Sequence, residues 1–343
     1  MKLSTVIMAA GQGTRMVSTL PKVLHPLNGK AMILYALETA KTIGAQRLVV
    51  VIGNGAEKVR DTLGDGIQCV IQEERLGTAH AVMMAEGELS KEDGLVLVTA
   101  GDMPLLTART LESLVKRQEQ NSGPFSMLTV RSNNPRGFGR VVRGPDGSIH
   151  AIVEEAQASA EQLLINELNV GAYCFRADWL WGALKKIKLS PKGEYYLTDL
   201  VAVAVAEGKT VESILLDDEE EALGINNRVH LADAERILRR RVNEGWMMAG
   251  VTMIDPNLVY IGPEVKIGKD SILYPNTRLA GKTVIGEGCE IGPNTIIQDT
   301  VVGDHCHLLA SVLEGAEVGN EVGMGPFCHL RKGARLGDRV HMG

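Results

Sequence analysis

The sequence predicts an α/β domain built on a mainly parallel sheet, followed by a left-handed parallel β-helix of hexapeptide repeats. Three observations carry this expectation. Up to about residue 226, short apolar runs alternate with longer segments of helical period, the pattern of a sheet sandwiched between helices. From Arg228 to Met248, strong helix formers carry apolar residues at helical spacing. Beyond residue 250, aliphatic-glycine pairs recur on a six-residue grid, and such repeats stack into β-helix coils. The expected division is residues 1–227, a linker helix over 228–250 and a partial β-helix over 251–343.

In the first part, Leu3 to Ala9, Arg47 to Ile52, Cys69 to Gln72 and Leu95 to Thr99 are strand candidates, with functional loops expected at their carboxyl ends. Between residues 125 and 176 the candidates crowd together: Phe125 to Val130, Gly139 to Val142, Ile149 to Glu154 and Leu168 to Phe175. They predict an antiparallel insertion or lid over the sheet edge. The cluster Arg239-Arg240-Arg241 reads as a solvated face of the linker helix. In the last part Ile261-Gly262, Ile267-Gly268, Ile285-Gly286 and Ile291-Gly292 share one phase with Leu273, Leu279 and Ile297. A second run, from Val318-Gly319 to Met342-Gly343, keeps the period after a shift ascribed to irregular turns. About five coils of roughly 18 residues, about 4.8 Å apart, are expected. The repeat stops at Gly343 without a capping element, which predicts a shortened form with an open sheet edge.

Composition narrows the function classes. A chain of 343 residues exceeds what one core usually supports, and 45% hydrophobic with 23% charged residues fits an ordered protein. The net charge of -6 argues against a nucleic-acid surface, which needs a basic excess to neutralise phosphates. Five scattered cysteines, Cys69, Cys174, Cys289, Cys306 and Cys328, lack paired spacing, so reduced thiols are expected. The apolar start ends at Gly11 and reads as a strand rather than a signal peptide. No stretch approaches a membrane-spanning length, and a cytoplasmic location with no membrane partner is the expectation. His305, Cys306, His307, Cys328, His329 and His341 match no common zinc spacing.

The strongest chemical signal follows the first strand: Ala9-Ala10-Gly11-Gln12-Gly13-Thr14-Arg15-Met16, with Pro21-Lys22 shortly after. Glycines let backbone N–H groups approach phosphate oxygens, and Arg15 and Lys22 supply a planar fork and a point charge to neutralise them. A dinucleotide-binding loop would need Gly or Ala where Met16 stands, and no G-K-[ST] follows for a Walker loop. Asp102 ends a strand at the edge where α/β sheets bind ligands, and its carboxylate suits Mg²⁺; a turn or cap residue is the alternative. Gln72 can offer an amide donor and acceptor to a pyrimidine edge, with Gly77 and Thr78 adding close contacts. Tyr195-Tyr196-Leu197-Thr198-Asp199 reads as packing before a helix, with Thr198 or Asp199 as possible caps, and His25 and His80 as structural histidines.

The Gly11–Lys22 segment resembles the L-x-x-G-x-G-T-R-M…P-K signature of sugar-phosphate nucleotidyltransferases. Leu76-Gly77-Thr78-Ala79, Gly101-Asp102-Met103-Pro104-Leu105, Gly137-Phe138-Gly139-Arg140, Val153-Glu154-Glu155, Leu168-Asn169-Val170-Gly171, Glu194 to Asp199 and Gly224-Ile225-Asn226-Asn227-Arg228 follow in order. Together they resemble the bifunctional N-acetylglucosamine-1-phosphate uridylyltransferase/glucosamine-1-phosphate N-acetyltransferase family over essentially the whole chain.

The resemblance implies a Rossmann-like nucleotidyltransferase domain with Arg15 and Lys22 as its catalytic residues and Mg²⁺ held by Asp102 and Asn227. It implies nucleotide and sugar contacts from Met8, Ala9, Ala10, Gly11, Gly13, Thr14, Lys22, Gln72, Gly77, Thr78, Ala100, Gly101, Asp102, Gly139, Glu154, Asn169 and Asn227. The implied partners are UTP, N-acetylglucosamine 1-phosphate, pyrophosphate and UDP-N-acetylglucosamine, in a homotrimer formed through the β-helix. Arg331 matches the start of the family's second, acetyl-transferring site, which is expected to be incomplete and inactive in residues 1–343. Ala100, the Glu155-Ala156-Gln157-Ala158 continuation and Val170 depart from the family pattern and bear on the sugar. The alternatives are transfer to another sugar 1-phosphate or from another nucleoside triphosphate, a catalytically silent regulatory subunit, and an NAD-dependent enzyme.

Overall fold

A computed structural model describes residues 1–91 and 93–343. It divides into two compact units, one of Met1–His25 with Ala31–His230 and one of Pro26–Lys30 with Leu231–Gly343.

The first unit is organised by one sheet. Its strands are β1 (Leu3–Ala9), β2 (Arg47–Ile52), β3 (Gln68–Ile71), β4 (Leu95–Ala100), β5 (Phe125–Arg131), β6 (Arg140–Arg143), β7 (Ile149–Val153), β8 (Glu167–Arg176) and β9 (Glu212–Leu215). The path runs β9-β5-β8-β4-β1-β2-β3, with β6 and β7 as a hairpin joined to β8. Strands β1, β2, β3 and β4 pair in parallel. The near-continuous apolar runs of β1, β2 and β4 follow from burial on both faces. Alternate residues serve opposite layers: Val6, Val49 and Val51 face a core that includes Phe125 and Phe175, while Ile7, Val50 and Ile52 face a core that includes Ile33 and Leu37 of the helix Met32–Thr42.

Of the two readings of the crowded strands between residues 125 and 176, the structure has the antiparallel insertion and not a lid over the edge. β8 lies inside the sheet, antiparallel to both β4 and β5, and β9 closes the edge beyond β5. Only the β6–β7 hairpin projects from the path. The cause is aromatic packing at the centre. Phe125 of β5 and Phe175 of β8 stand 4.8 Å apart, and Tyr173 and Trp179 extend the cluster. So few aromatics in the chain make this cluster the natural anchor.

The second unit is a β-helix of three parallel ladders with six, five and five short strands. Aliphatic residues of the repeat point inward and are buried: Leu273, Leu279, Ile285, Ile291 and Ile297 in one run, then Val302, Leu308, Leu313, Val318 and Met324. The phase shift arises because the steps from Ile297 to Val302, Leu308 to Leu313 and Leu313 to Val318 are five residues instead of six. Ladder pairing absorbs the change: Val284 pairs with Val301 and Ile296 with Val312. Two residues before an inward aliphatic, a small side chain satisfies a carbonyl of the coil. Ser271 Oγ donates to the Gly286 carbonyl at 2.9 Å, Thr277 Oγ1 to Ile291 at 3.1 Å and Ser311 Oγ to Gly325 at 3.0 Å. Cys289 and Cys306 fill the same kind of position with their thiols, and all five cysteines are free. Corners adopt left-handed backbone at Asp270, Asn276, Asn294 and Asp299, residue types that tolerate it, and Asn276 Nδ2 donates to Asn294 Oδ1 of the next coil at 3.0 Å.

Within this unit the helix Arg228–Met248 packs Val242, Trp246 and Met247 against the β-helix core, and Asn243 Nδ2 donates to the carbonyls of Pro256 and Val259. Arg239 lies over the Tyr260 ring at 4.7 Å, and Arg240 faces Glu244 one turn on, so these basic residues are engaged on the helix's own surroundings. Among the described residues no helix is long and apolar enough to cross a membrane.

Candidate active site

The parallel strands β1, β2, β3 and β4 all end on one edge of the sheet, and their following loops line a cleft of about 930 Å³. Its walls are Met8, Ala9, Ala10, Gly11 and Lys22 at one end, Ala100 and Asp102 beside them, and Gln72, Gly77, Thr78 and Glu154 beyond.

The loop after β1 is shaped by Gly13, which has φ 64°; a Cβ there would stand 2.6 Å from Lys22 Cβ. Both the left-handed backbone and the close approach demand glycine. Gly11 differs, because nothing lies within 4 Å of where its Cβ would be. The fold leaves that position bare, on the cleft wall. The short turn Thr14–Met16 then buries Met16 and leaves Arg15 exposed. Arg228 Nε donates to the Met16 carbonyl at 3.2 Å and holds this turn.

Lys22 reaches across to the loop after β4. Its ammonium donates to Asp102 Oδ2 and, at 3.1 Å, to Asn226 Oδ1. Arg15 Nη2 donates to the same Asn226 oxygen at 3.0 Å. Asn226 is brought here by backbone pairing, since the Ile225 N–H donates to the Asp102 carbonyl at 2.9 Å. Asn227 is not part of this cluster. Its Oδ1 accepts from the His230 N–H at 2.8 Å, which makes it the N-cap of the helix starting at Arg228. The amide oxygen that shares the Lys22 ammonium with Asp102 is therefore that of Asn226, where Asn227 was expected beside Asp102. A carboxylate and an amide oxygen converging on one ammonium cation form a hard-oxygen donor set of the kind Mg²⁺ takes alongside phosphate and water.

The loop leading into the helix Thr78–Met83 is clamped by the segment Glu194 to Asp199. Tyr195 N–H donates to Leu76 O at 2.6 Å, Ala79 N–H donates to Tyr195 O at 2.9 Å, and Leu197 N–H donates to Thr78 Oγ1 at 2.9 Å. Gly77, at φ 97°, would put a Cβ 2.5 Å from the Tyr195 carbonyl oxygen. Gln72 is buried, and its Nε2 lies 3.0 Å from Gly77 O and 3.1 Å from His80 Nδ1.

Glu154 lines the cleft beside Glu194 and Tyr196. Thr198 Oγ1 donates to Glu154 Oε1 at 2.9 Å, so Thr198 serves this carboxylate, and neither Thr198 nor Asp199 makes a side-chain cap on the helix that follows. Gly139 and Asn169 are neighbours, joined by the Asn169 N–H to Gly139 O bond of 2.9 Å. Asn169 Nδ2 donates to the buried Tyr173 hydroxyl at 2.7 Å, and its Oδ1 accepts from Gly171 N–H. Glu155, a departure in sequence, pairs at 3.0 Å with Arg140, whose side chain is only 2% exposed. Gly101 donates its N–H to Met8 O and sets the start of the Asp102 loop. Arg331 follows the coil strand His329–Leu330 in the other unit and is exposed. His25 is buried, and burial together with the Arg228 charge lowers its pKa.

A nucleotidyl transferase family profile matches residues 4–250. The chain belongs to this family. Among its curated relatives, the bifunctional protein GlmU of Exiguobacterium sibiricum is 46% identical over 339 residues, 98% of this chain and 76% of the relative. The GlmU proteins of Geobacillus sp. (strain WCH70) and Heliobacterium modesticaldum are 43% and 44% identical over 343 residues, in each case 100% of this chain and 75% of the relative. The chain thus spans about three quarters of these proteins' length, and its fold is the family's nucleotidyltransferase domain followed by a left-handed β-helix.

In this nucleotidyl transferase the residues missed by sequence reasoning share one trait: each acts on a neighbour that motif reading does find. Asn226 holds Lys22 and Arg15, Thr198 holds Glu154, and Tyr173 holds Asn169. The available signal was the Gly224-Ile225-Asn226-Asn227 run itself, which offers two adjacent amides.

Glu154 gives a pH-dependent expectation. Burial raises its pKa, only partly offset by the Thr198 hydrogen bond, and Asp199 and Glu194 add to the rise. A folded-state value above the unfolded one means that stability is fully present below the ordinary glutamate pKa and is lost as pH rises through the folded value. Glu154→Gln keeps an acceptor for Thr198 and removes the buried charge. It should therefore melt at higher temperature than the parent at pH 8, with the difference vanishing near pH 4. Melting curves that stay superimposed across that range would refute the assignment.

Proposed function

We propose that this protein transfers the uridylyl group of UTP to N-acetylglucosamine 1-phosphate, giving UDP-N-acetylglucosamine and pyrophosphate. The observation that carries the reading is the convergence, in one cleft, of the bare Gly11 wall and Lys22–Asp102–Asn226 cluster at one end with Gln72, Gly77 and Thr78 at the other. One end suits a triphosphate and the other a base, with Glu154 placed for sugar hydroxyls.

The attacking group is a phosphate oxygen of the sugar phosphate, already an anion, so no side chain has to remove a proton from it. It displaces pyrophosphate in line at the α-phosphorus: one P–O bond forms as the other breaks, and the negative charge leaves with pyrophosphate. The protein's task is to align two anions and disperse their repulsion. Arg15 and Lys22 supply positive charge, and Asn226 orients both. Asp102 and Asn226 would hold Mg²⁺, which when bound neutralises phosphate oxygens. The same reading assigns the enzyme to the cytoplasm, where nucleoside triphosphates are made. It also implies a homotrimer through β-helix faces that expose Ile296 and Val301.

The test is pyrophosphate release in a panel crossing UTP, dTTP, ATP and GTP with four sugar 1-phosphates. The highest kcat/KM is expected for UTP with N-acetylglucosamine 1-phosphate. A higher value for any other pair would overturn the specificity, and no release with any pair would overturn the activity.

A further inference from the structure

We propose that His80 is a positioning residue that locks the Gln72 amide in one orientation, so that the site reads a ring N–H on the base and selects uracil over cytosine. This rests on the uridylyl-transfer reading above.

The orientation follows from hydrogen-bond chemistry. The Gly77 carbonyl oxygen, which also accepts the Ala81 N–H, lies 3.0 Å from one terminal atom of the Gln72 amide. A carbonyl oxygen only accepts, so that atom must be the NH₂ group and not the amide oxygen. The same nitrogen is 3.1 Å from His80 Nδ1. With one amide hydrogen on Gly77 O, the other points at Nδ1, which must carry a lone pair; the His80 proton then sits on Nε2. Both Gln72 donors are consumed inside the protein. The amide oxygen is the polar atom left for a ligand, and Gln72 lines the cleft.

A lone acceptor discriminates between the pyrimidines. Uracil carries a hydrogen on N3, whereas cytosine carries a lone pair there, so cytosine sets acceptor against acceptor at that contact. An unpaired or opposed polar contact in a buried site is costly, which makes such a contact selective. Thymine also carries N3–H, so the arrangement gives no discrimination between UTP and dTTP.

The readout is the ratio of kcat/KM for UTP, CTP and dTTP in pyrophosphate release with N-acetylglucosamine 1-phosphate. His80→Leu removes the second of the two acceptors that hold the Gln72 amino group and leaves Gly77 O alone to orient it, and the UTP/CTP preference should fall roughly tenfold. The loss should lie in KM rather than kcat, with UTP/dTTP unchanged. His80→Asn places Oδ1 where Nδ1 stood and should retain the preference. An unaltered UTP/CTP ratio in His80→Leu, or an equal loss in His80→Asn, would overturn the proposal. A long-range ¹H–¹⁵N spectrum of the wild-type protein tests it without variants: the Nε2–H tautomer is expected, and an Nδ1–H tautomer would overturn it. Failure of the uridylyl reading itself would show separately, as absence of wild-type turnover with UTP.

Discussion

Asp102→Ala is expected to lower pyrophosphate release by at least roughly 10²- to 10³-fold, the range seen when one preorganised charge-stabilising group is lost from a site. Two consequences combine. Asp102 is the sole carboxylate in the cluster formed with Lys22, Arg15 and Asn226, so the donor set for Mg²⁺ drops to a neutral amide. Lys22 also loses its charge partner in a place where the two side chains are only 12% and 21% exposed. Its ammonium is then free to wander from the position that faces the phosphates. Folding should survive, because a partly exposed pair costs less than the ~3–5 kcal/mol of a buried one whose partner is removed. Kinetics across a Mg²⁺ titration provide the check. Parent-like turnover and unchanged metal dependence would remove Asp102 from the site.

Two neighbouring asparagines should behave in opposite ways. Asn226→Ala removes the oxygen that accepts from both Lys22 Nζ and Arg15 Nη2, and turnover is expected to fall roughly 10²-fold with little change in melting temperature. Asn227→Ala removes the N-cap of the helix Arg228–Met248. It should cost about 1 kcal/mol of stability. Its turnover should stay within about threefold of the parent, since a cap acts on folding and touches no reacting group. Paired measurements of kcat and thermal melting on both variants decide the matter. Loss of activity in Asn227→Ala with an active Asn226→Ala would reverse the assignment of the amide.

Much of the site was legible because phosphate chemistry leaves local traces. The loop from Gly11 to Lys22 is read from spacing alone, and the structure supplies the reason for Gly13: a left-handed backbone pressed against Lys22. Asp102 was legible as a strand-terminal carboxylate. The choice between Asn226 and Asn227 was not, since both have the same chemistry and adjoin each other. It was made by the Ile225 to Asp102 backbone bond on one side and the start of a helix on the other. Gln72 was read as a base contact offering both donor and acceptor; that the Gly77 carbonyl and His80 lie against its amino group is decided only in the folded chain. Asn169 was read as a sugar contact; that its amide donates to the Tyr173 hydroxyl is decided only in the folded chain.

By itself the sequence determined what depends on short-range periodicity and residue type. It determined the buried parallel strands, the glycine loop, the helix over Arg228–Met248 and the inward aliphatic column of the β-helix, even across its shift in phase. Each arises from side-chain direction repeating every two, 3.6 or six residues. Tertiary structure alone decided which strands became partners and which side chains became neighbours. β8 entered the sheet between β4 and β5 because the Phe125–Phe175 cluster is buried there, a contact between residues fifty positions apart that no local pattern encodes. The same holds for Lys22 meeting Asp102 and Asn226: three loops were brought to one sheet edge, and their charges and amides found partners only once the chain had folded.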